Sequence, residues 1–333
     1  MTSPVSVRFG HICAVLDDNS VKCWGNNMYG QLGLGDKRDR GYPSGEMGAV
    51  DLGTGRFATA IAVGDRHTCA LLDDKSVKCW GSNWVGAIGL GDTNDRGDEP
   101  GEMGDNLPAV DLGTGRSATA ISAGHSHTCA LLDDKSVKCW GSNGYGQLGL
   151  GDRTPRGYAY YTMGDNLPAV DLGTGRSATA ISAGHTHTCA LLDDNSVKCW
   201  GSNFEGRLGL GDKLHRGDAS GEMGDNLPAV DLGTGRLATA ISAGYQHTCA
   251  LLDDKSVKCW GGNYYGALGI GGWHRGDEPG EMGDNLPAVD LGPDHVATAI
   301  SAGSHHTCAL LFDKSVKCWG NKSLYYRPTR TQR

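Results

Sequence analysis

Twelve cysteines are the residues best placed to do chemistry in this chain of 333 residues. They fall in six pairs, each with nine residues between its members: Cys13 and Cys23, Cys69 and Cys79, Cys129 and Cys139, Cys189 and Cys199, Cys249 and Cys259, Cys308 and Cys318. Such pairs can be disulfides, buried thiols acting as small hydrophobes, or zinc ligands. Zinc is disfavoured, because the spacing is not that of a CxxC knuckle and neighbouring pairs belong to different repeats. The turn between the cysteines bears on the other two readings. In "HTCALLDDKSVKCWG" (127–141), Asp133, Asp134 and Lys135 suit a three-residue hairpin loop whose last residue is left-handed. Asn19 and Asn195, good left-handed residues, take that place in two repeats. This loop sets Leu131 opposite Val137, Ala130 opposite Lys138 and Cys129 opposite Cys139. Opposed Cβ atoms are about 4.5–5.5 Å apart, near disulfide spacing. A loop one residue shorter or longer would put the sulfurs on opposite faces. The expectation is six disulfides with every cysteine used, each contributing roughly 2–3 kcal/mol and requiring an oxidising compartment. Free thiols are the alternative.

Histidine offers a second chemistry. His67, His127, His187, His247 and His306 recur at one position, where a hydrogen bond at the start of a strand is the plain role. His125 with His127, and His185 with His187, form i, i+2 pairs able in principle to hold a metal. The plain role is preferred, and no metal or other cofactor is expected.

The elements that must position these residues follow from the period. Successive first cysteines are 56, 60, 60, 60 and 59 residues apart, a period that implies a propeller or solenoid. The third unit holds "ATAISAG" (118–124), "HTCALL" (127–132), "SVKCWG" (136–141) and, after a Gly-rich loop, "PAVDLG" (168–173). Four short strands punctuated by glycine, without helical periodicity, read as a propeller blade. The small residues of the first strand suit the crowded centre. The expected fold is all-β: one domain over 1–333, a β-propeller of four-stranded blades built from about six repeats of about 60 residues. Six hairpins suggest six blades.

"HTCALLDDKSVKCWGSNGYGQLGLGD" resembles the repeat of the regulator of chromosome condensation family, with matches at Gly124, His127, Trp140, Gly141, Asn143, Gly146, Gln147, Leu148 and Gly149. The resemblance covers nearly the whole chain. It implies a propeller, usually of seven blades, and the family name implies guanine-nucleotide exchange on the small GTPase Ran with DNA or histone contact. This chain departs in having six hairpin units, Lys or Asn in place of the turn glycine, and paired cysteines. It has no obvious unique insertion, so the exchange activity is not carried over. Secreted members that bind proteins are closer in their cysteines.

Composition narrows the function further. A net charge of −8 argues against a nucleic-acid groove. No run of eighteen apolar residues exists to span a membrane, and the N-terminus does not read as a signal peptide. Candidate acids, bases and nucleophiles recur in each repeat, whereas catalysis needs one asymmetric set. Neither a Gly-x-Ser-x-Gly elbow nor a phosphate-cradling loop is present.

Differences between near-identical units are therefore the informative positions. One set follows Trp-Gly-x-Asn and is rich in aromatics: Tyr29, Trp84, Tyr145, Phe204, Tyr264 and Tyr265. A second follows Gly-Asp, and a third precedes the recurrent histidine. The aromatics are candidate partner-binding residues; the plain alternative is packing on the neighbouring blade. "RGD" recurs at 96–98, 216–218 and 275–277, read either as an integrin-type adhesion signal or as repetition of the unit. The "GDNLPAVD" loops do not match an EF-hand and read as solvated turns. The expected function is a non-enzymatic, disulfide-stiffened protein-binding scaffold, extracellular or at the cell surface. If the cysteines are reduced, the expected location is cytoplasmic, and the alternative is a regulator of a small GTPase. The chain is expected to be a monomer or part of a larger protein, with "SLYYRPTR" (323–330) as an outer strand of the last blade.

Overall fold

In a computed structural model, residues 5–7, 10–41 and 47–321 are described; the segment 323–330 lies outside them. Six antiparallel three-stranded sheets follow one another along the chain. The first is β1 (Val5–Val7), β2 (His11–Val15) and β3 (Val21–Gly25), and the second is β4 (Ala58–Val63), β5 (His67–Leu72) and β6 (Val77–Gly81). The third is β7 (Ala118–Ala123), β8 (His127–Leu132) and β9 (Val137–Gly141), and the fourth is β10 (Ala178–Ala183), β11 (His187–Leu192) and β12 (Val197–Gly201). The fifth is β13 (Ala238–Ala243), β14 (His247–Leu252) and β15 (Val257–Gly261), and the sixth is β16 (Ala297–Ala302), β17 (His306–Leu311) and β18 (Val316–Gly320). Each sheet is one blade. Among the described residues no helix is long and apolar enough to cross a membrane.

The hairpin has the register expected of a three-residue loop. Cys129 pairs with Cys139, Ala130 with Lys138 and Leu131 with Val137. Leu132 N–H donates to Ser136 O at 2.9 Å, and Lys135 N–H to Leu132 O at 3.0 Å. Lys135 is left-handed at φ 67°, as are Asn19 and Asn195 at 62° and 64°. The six cysteine pairs therefore meet, with Cα atoms 4.0–4.1 Å apart and sulfurs at bonding distance.

The blades differ from expectation in having three strands. The "PAVDLG" segment does not form a ladder: in the third unit its regular contribution is a single bond, from Val170 N–H to Val137 O. The one unit with a bridge there, Lys22 to Ala49, has Gly48 where the others have Pro108, Pro168, Pro228 and Pro287. Proline fixes φ and has no N–H to donate, so it resists extension of a ladder. A lysine fastens the segment instead. Lys138 Nζ donates to Leu112 O and Gly164 O, both at 2.9 Å, joining the outer segment of one blade to the loops of the next. The equivalent Lys78 is buried, and that burial holds its pKa below the ordinary lysine value.

Blades pack face to face. Cys129, Leu131, Val137 and Cys139 of the third blade meet Ala178, Ala190, Leu192 and Trp200 of the fourth. Strands buried on both faces have no polar side to display, which is why "HTCALL" is nearly unbroken in apolarity. Around the axis, the small residues of β4, β7, β10, β13 and β16 line a central cavity of about 880 Å³. The sixth blade ends the stack. Leu310 and Val316 are 41% and 61% exposed, and Cys318 is exposed, whereas their counterparts Leu251, Val257 and Cys259 are buried.

Candidate functional site: the variable face

In each blade the inner strand runs toward one side of the disc, the middle strand back, and the third strand toward that side again. The turn before the recurrent histidine and the loop after Trp-Gly-x-Asn therefore share one side. Ser142 N–H donates to Ser126 O at 2.8 Å, tying the two. The Gly-Asp loop returns to the same place, since Gly141 bridges to Arg156. All three variable stretches thus crowd one face, while the repeated Asp-Asp turns occupy the other.

Glycine permits this crowding. A Cβ on Gly86 would come within 2.3 Å of Tyr158 N in the next blade, and Gly86 sits at φ 80°. The aromatics rise from these loops. Trp84 and Tyr265 are the most exposed, at 62% and 67%, with Tyr145, Phe204 and Tyr264 also exposed and Tyr29 half-buried. Some also pack on one another or on histidines. Tyr145 lies 5.7 Å from Phe204, both edge-on to His215, and Tyr264 is 5.0 Å from His274. Arg66 sits over Tyr29 at 5.1 Å. Arg207 pairs with Glu205 beside Phe204, and burial lowers its pKa. Partial burial likewise lowers His215 and His305. Trp84 and Tyr265 present the most surface; Tyr145 and Phe204 combine surface with neighbour packing.

The recurrent histidines act between blades. His67 Nε2 meets Thr128 Oγ1 at 2.9 Å, and His127, His187 and His247 meet Thr188, Thr248 and Thr307 at 3.0, 2.9 and 2.8 Å. Burial pushes His11 and His247 down to about 3, so both are neutral in the folded protein. The i, i+2 pairs do not act together. His127 enters the interface, while His125 stays in the turn and joins His185 and Asp65 from adjoining blades. That grouping escaped sequence reading because its members are a full repeat apart. Aligning the repeats and reading down the column would have found it.

The "RGD" tripeptides are structural. Arg96 Nη2 donates to Asp92 at 2.7 Å, and the nearly buried Asp98 accepts from Lys37 Nζ at 2.9 Å. Asp218 is held by Arg153 and Asp277 by Lys213. The acidic loops are occupied too: Asp105 accepts from Thr54 N–H and Oγ1–H at 2.8 and 2.6 Å, which lowers its pKa.

These features define a class: a repeat-built β-propeller whose blades are locked by shared interface contacts and whose three variable loop stretches share one face. A family model for the RCC1-like domain matches residues 20–326, and the chain belongs to that family. It is 30% identical over 262 residues to the ultraviolet-B receptor UVR8 of Arabidopsis thaliana, covering 78% of this chain and 53% of the receptor. It is 26% identical to the serine/threonine-protein kinase Nek9 of Mus musculus, over 93% of this chain and 30% of the kinase. The chain thus spans about half or less of these relatives. Among solved structures, yeast RCC1 (Prp20) bound to Kap60 superposes with a TM-score of 0.71 at 19% identity, over 95% of this chain and 69% of that one. The ectodomain of the Physcomitrella patens receptor kinase CR4 gives 0.55 at 21%, over 97% and 65%. At these identities the structures speak to the fold.

Proposed function

We propose that this propeller is a non-enzymatic protein-binding scaffold that works in an oxidising, extracellular or cell-surface setting. The observation that carries the reading is the gathering of the three variable loop stretches on one face that also bears Trp84, Phe204, Tyr264 and Tyr265 as exposed aromatics. Aromatic side chains supply large contact area at low entropic cost. The six cysteine pairs at bonding distance support the compartment. One relative, solved twice, supports the mode: yeast RCC1 (Prp20), in a structure bound to Kap60 and in another described with its binding to Gsp1p and histones. A receptor ectodomain of the same fold supports the setting.

The test is a screen of the purified domain against displayed secreted and cell-surface proteins, repeated with Trp84→Ser, Phe204→Ser and Tyr264→Ser combined. Binding lost in the triple variant at unchanged thermal stability supports the proposal. Undiminished binding, or loss of stability alone, refutes the assigned surface. Catalysed nucleotide release from any member of a small-GTPase panel would favour the exchange-factor reading instead.

A further inference from the structure

The position after the conserved turn glycine reads Asp65, His125, His185, Tyr245 and Ser304 in successive repeats. Three consecutive blades thus place metal-ligand side chains at equivalent points around the mouth of the central cavity. Backbone bonds fix their spacing: Asp65 N–H donates to His125 O at 3.4 Å, His125 N–H to His185 O at 3.2 Å, and His185 N–H to Gly244 O at 3.1 Å. Asp65 Oδ2 lies 3.7 Å from His125 Nε2 and 3.9 Å from His185 Nε2. One ligand atom from each of the three residues falls within 4.8 Å of the others.

From this geometry we propose that Asp65, His125 and His185 form a binding site for a divalent transition metal of the zinc class. Bonds of about 2.0–2.2 Å from nitrogen and carboxylate oxygen place tetrahedral ligand atoms roughly 3.3–3.5 Å apart, a closure of a few tenths of an ångström from the two Asp65–imidazole distances, with the two imidazole nitrogens drawn together from within 4.8 Å. Two imidazoles and a carboxylate suit zinc, nickel or copper better than magnesium or calcium. The outer contacts fit as well. His125 Nδ1 is 2.6 Å from Ser126 Oγ, and Nδ1–H donated there leaves the Nε2 lone pair aimed at the site, the usual arrangement behind a metal-bound histidine. Ser126 is present in this repeat alone, its equivalents being Arg66, Thr186, Gln246 and His305. The Tyr245 ring packs 3.8 Å from that of His185 and holds its plane. All three ligands are partly open to solvent, so a bound ion keeps free positions facing the variable surface. The ion would join the second, third and fourth blades. The competing state is an ion pair of Asp65 with protonated histidine, which needs no metal.

Isothermal titration of the chelator-treated full chain with zinc chloride at neutral pH tests the site, with thermal unfolding in parallel. The expected result is one equivalent bound per chain, a zinc-dependent rise in Tm, and affinity weakened at least about tenfold in His185→Ala and in Asp65→Asn. Cobalt(II) added to the intact protein should give visible absorption that both variants lose. Near-ultraviolet circular dichroism of the metal-free variants separates loss of ligand from loss of fold, and His125→Gln serves if either fails to fold. The absence of heat and of any Tm shift in the unsubstituted protein overturns the proposal. So does stoichiometric binding that persists in the variants.

Discussion

Replacing Thr188 with valine should unlock one blade interface with little change of shape. The Thr188 hydroxyl has a single proton, and it goes to Gln147 O at 2.9 Å. The contact with His127 Nε2 at 3.0 Å must then run the other way, with the imidazole donating. His127 is wholly buried. Valine keeps the volume and removes the acceptor, while Gln147 O retains the Trp200 indole N–H at 3.1 Å. The net loss is one buried donor deprived of its acceptor, about 1–3 kcal/mol. With an unfolding entropy of about 2.1 cal/mol/K per residue, a chain of this size loses roughly 1.5 °C of Tm for each kcal/mol. Thr188→Ser keeps the hydroxyl and forfeits a methyl, about 1 kcal/mol. The assay is urea unfolding at neutral pH without reductant. Thr188→Val should be less stable than Thr188→Ser. If valine exceeds serine, the histidine–threonine bond does not hold the blades together. The first blade provides an internal control, because Ile12 stands where the others have threonine. Ile12→Thr should bring no gain.

The other expectations rest on equally local features. Lys135 bears a side chain at φ 67°; Lys135→Gly should stabilise by about 0.5–1 kcal/mol in the same assay, and Lys135→Val should destabilise. Mild reduction followed by alkylation and peptide mass mapping should find Cys308 and Cys318 labelled first, because Cys318 is exposed while the other five pairs are buried. Stability should fall on acidification below pH 6.5. His11 and His247 sit near 3 in the fold against 6.5 when unfolded, so below 6.5 the unfolded chain takes up protons that the native one refuses. At pH 5 each costs about 2 kcal/mol. Hydrogen-bonded carboxylates such as Asp105, whose pKa is lowered, add a further loss below their unfolded values.

The hairpin was legible because two constraints agreed. Asn at the third loop position of two repeats pointed to a left-handed residue, and only that loop length brings the cysteines opposite one another. The inner strand was legible from its small side chains. The outer segment was misread because "PAVDLG" has the composition of a strand. What fastens the second unit's segment is a lysine from the next blade, Lys138, and a side-chain contact of that kind leaves no periodicity in the segment itself. The histidine was placed at the right element with its partner missed. Its bond goes to a threonine 61 residues away, and nothing within one repeat announces a contact with the next. The variable aromatics were visible at once. That all three variable stretches share a face follows only from strand direction.

Nearest-neighbour stacking explains why the repeats are so alike and where they are free to differ. Each interface joins groups from two blades: histidine to threonine, indole N–H to a loop carbonyl, lysine to two outer carbonyls. Changing one member strands its mate in the next blade, so a substitution is tolerated only if the neighbour changes too. Positions outside these contacts carry no such restraint. The aromatic loop, where Trp84 stands exposed, is one. The ends of the stack test the rule. The sixth blade's histidine, His306, is exposed, and Ile12 replaces threonine in the first blade. Phe312 replaces the aspartate found in every other loop, on a blade whose Leu310 and Val316 are exposed. Identity is lost at the first and last blades of the described residues and in the three stretches that share the variable face. The exposed side chains of that face, Trp84 and Tyr265 among them, remain available for recognition.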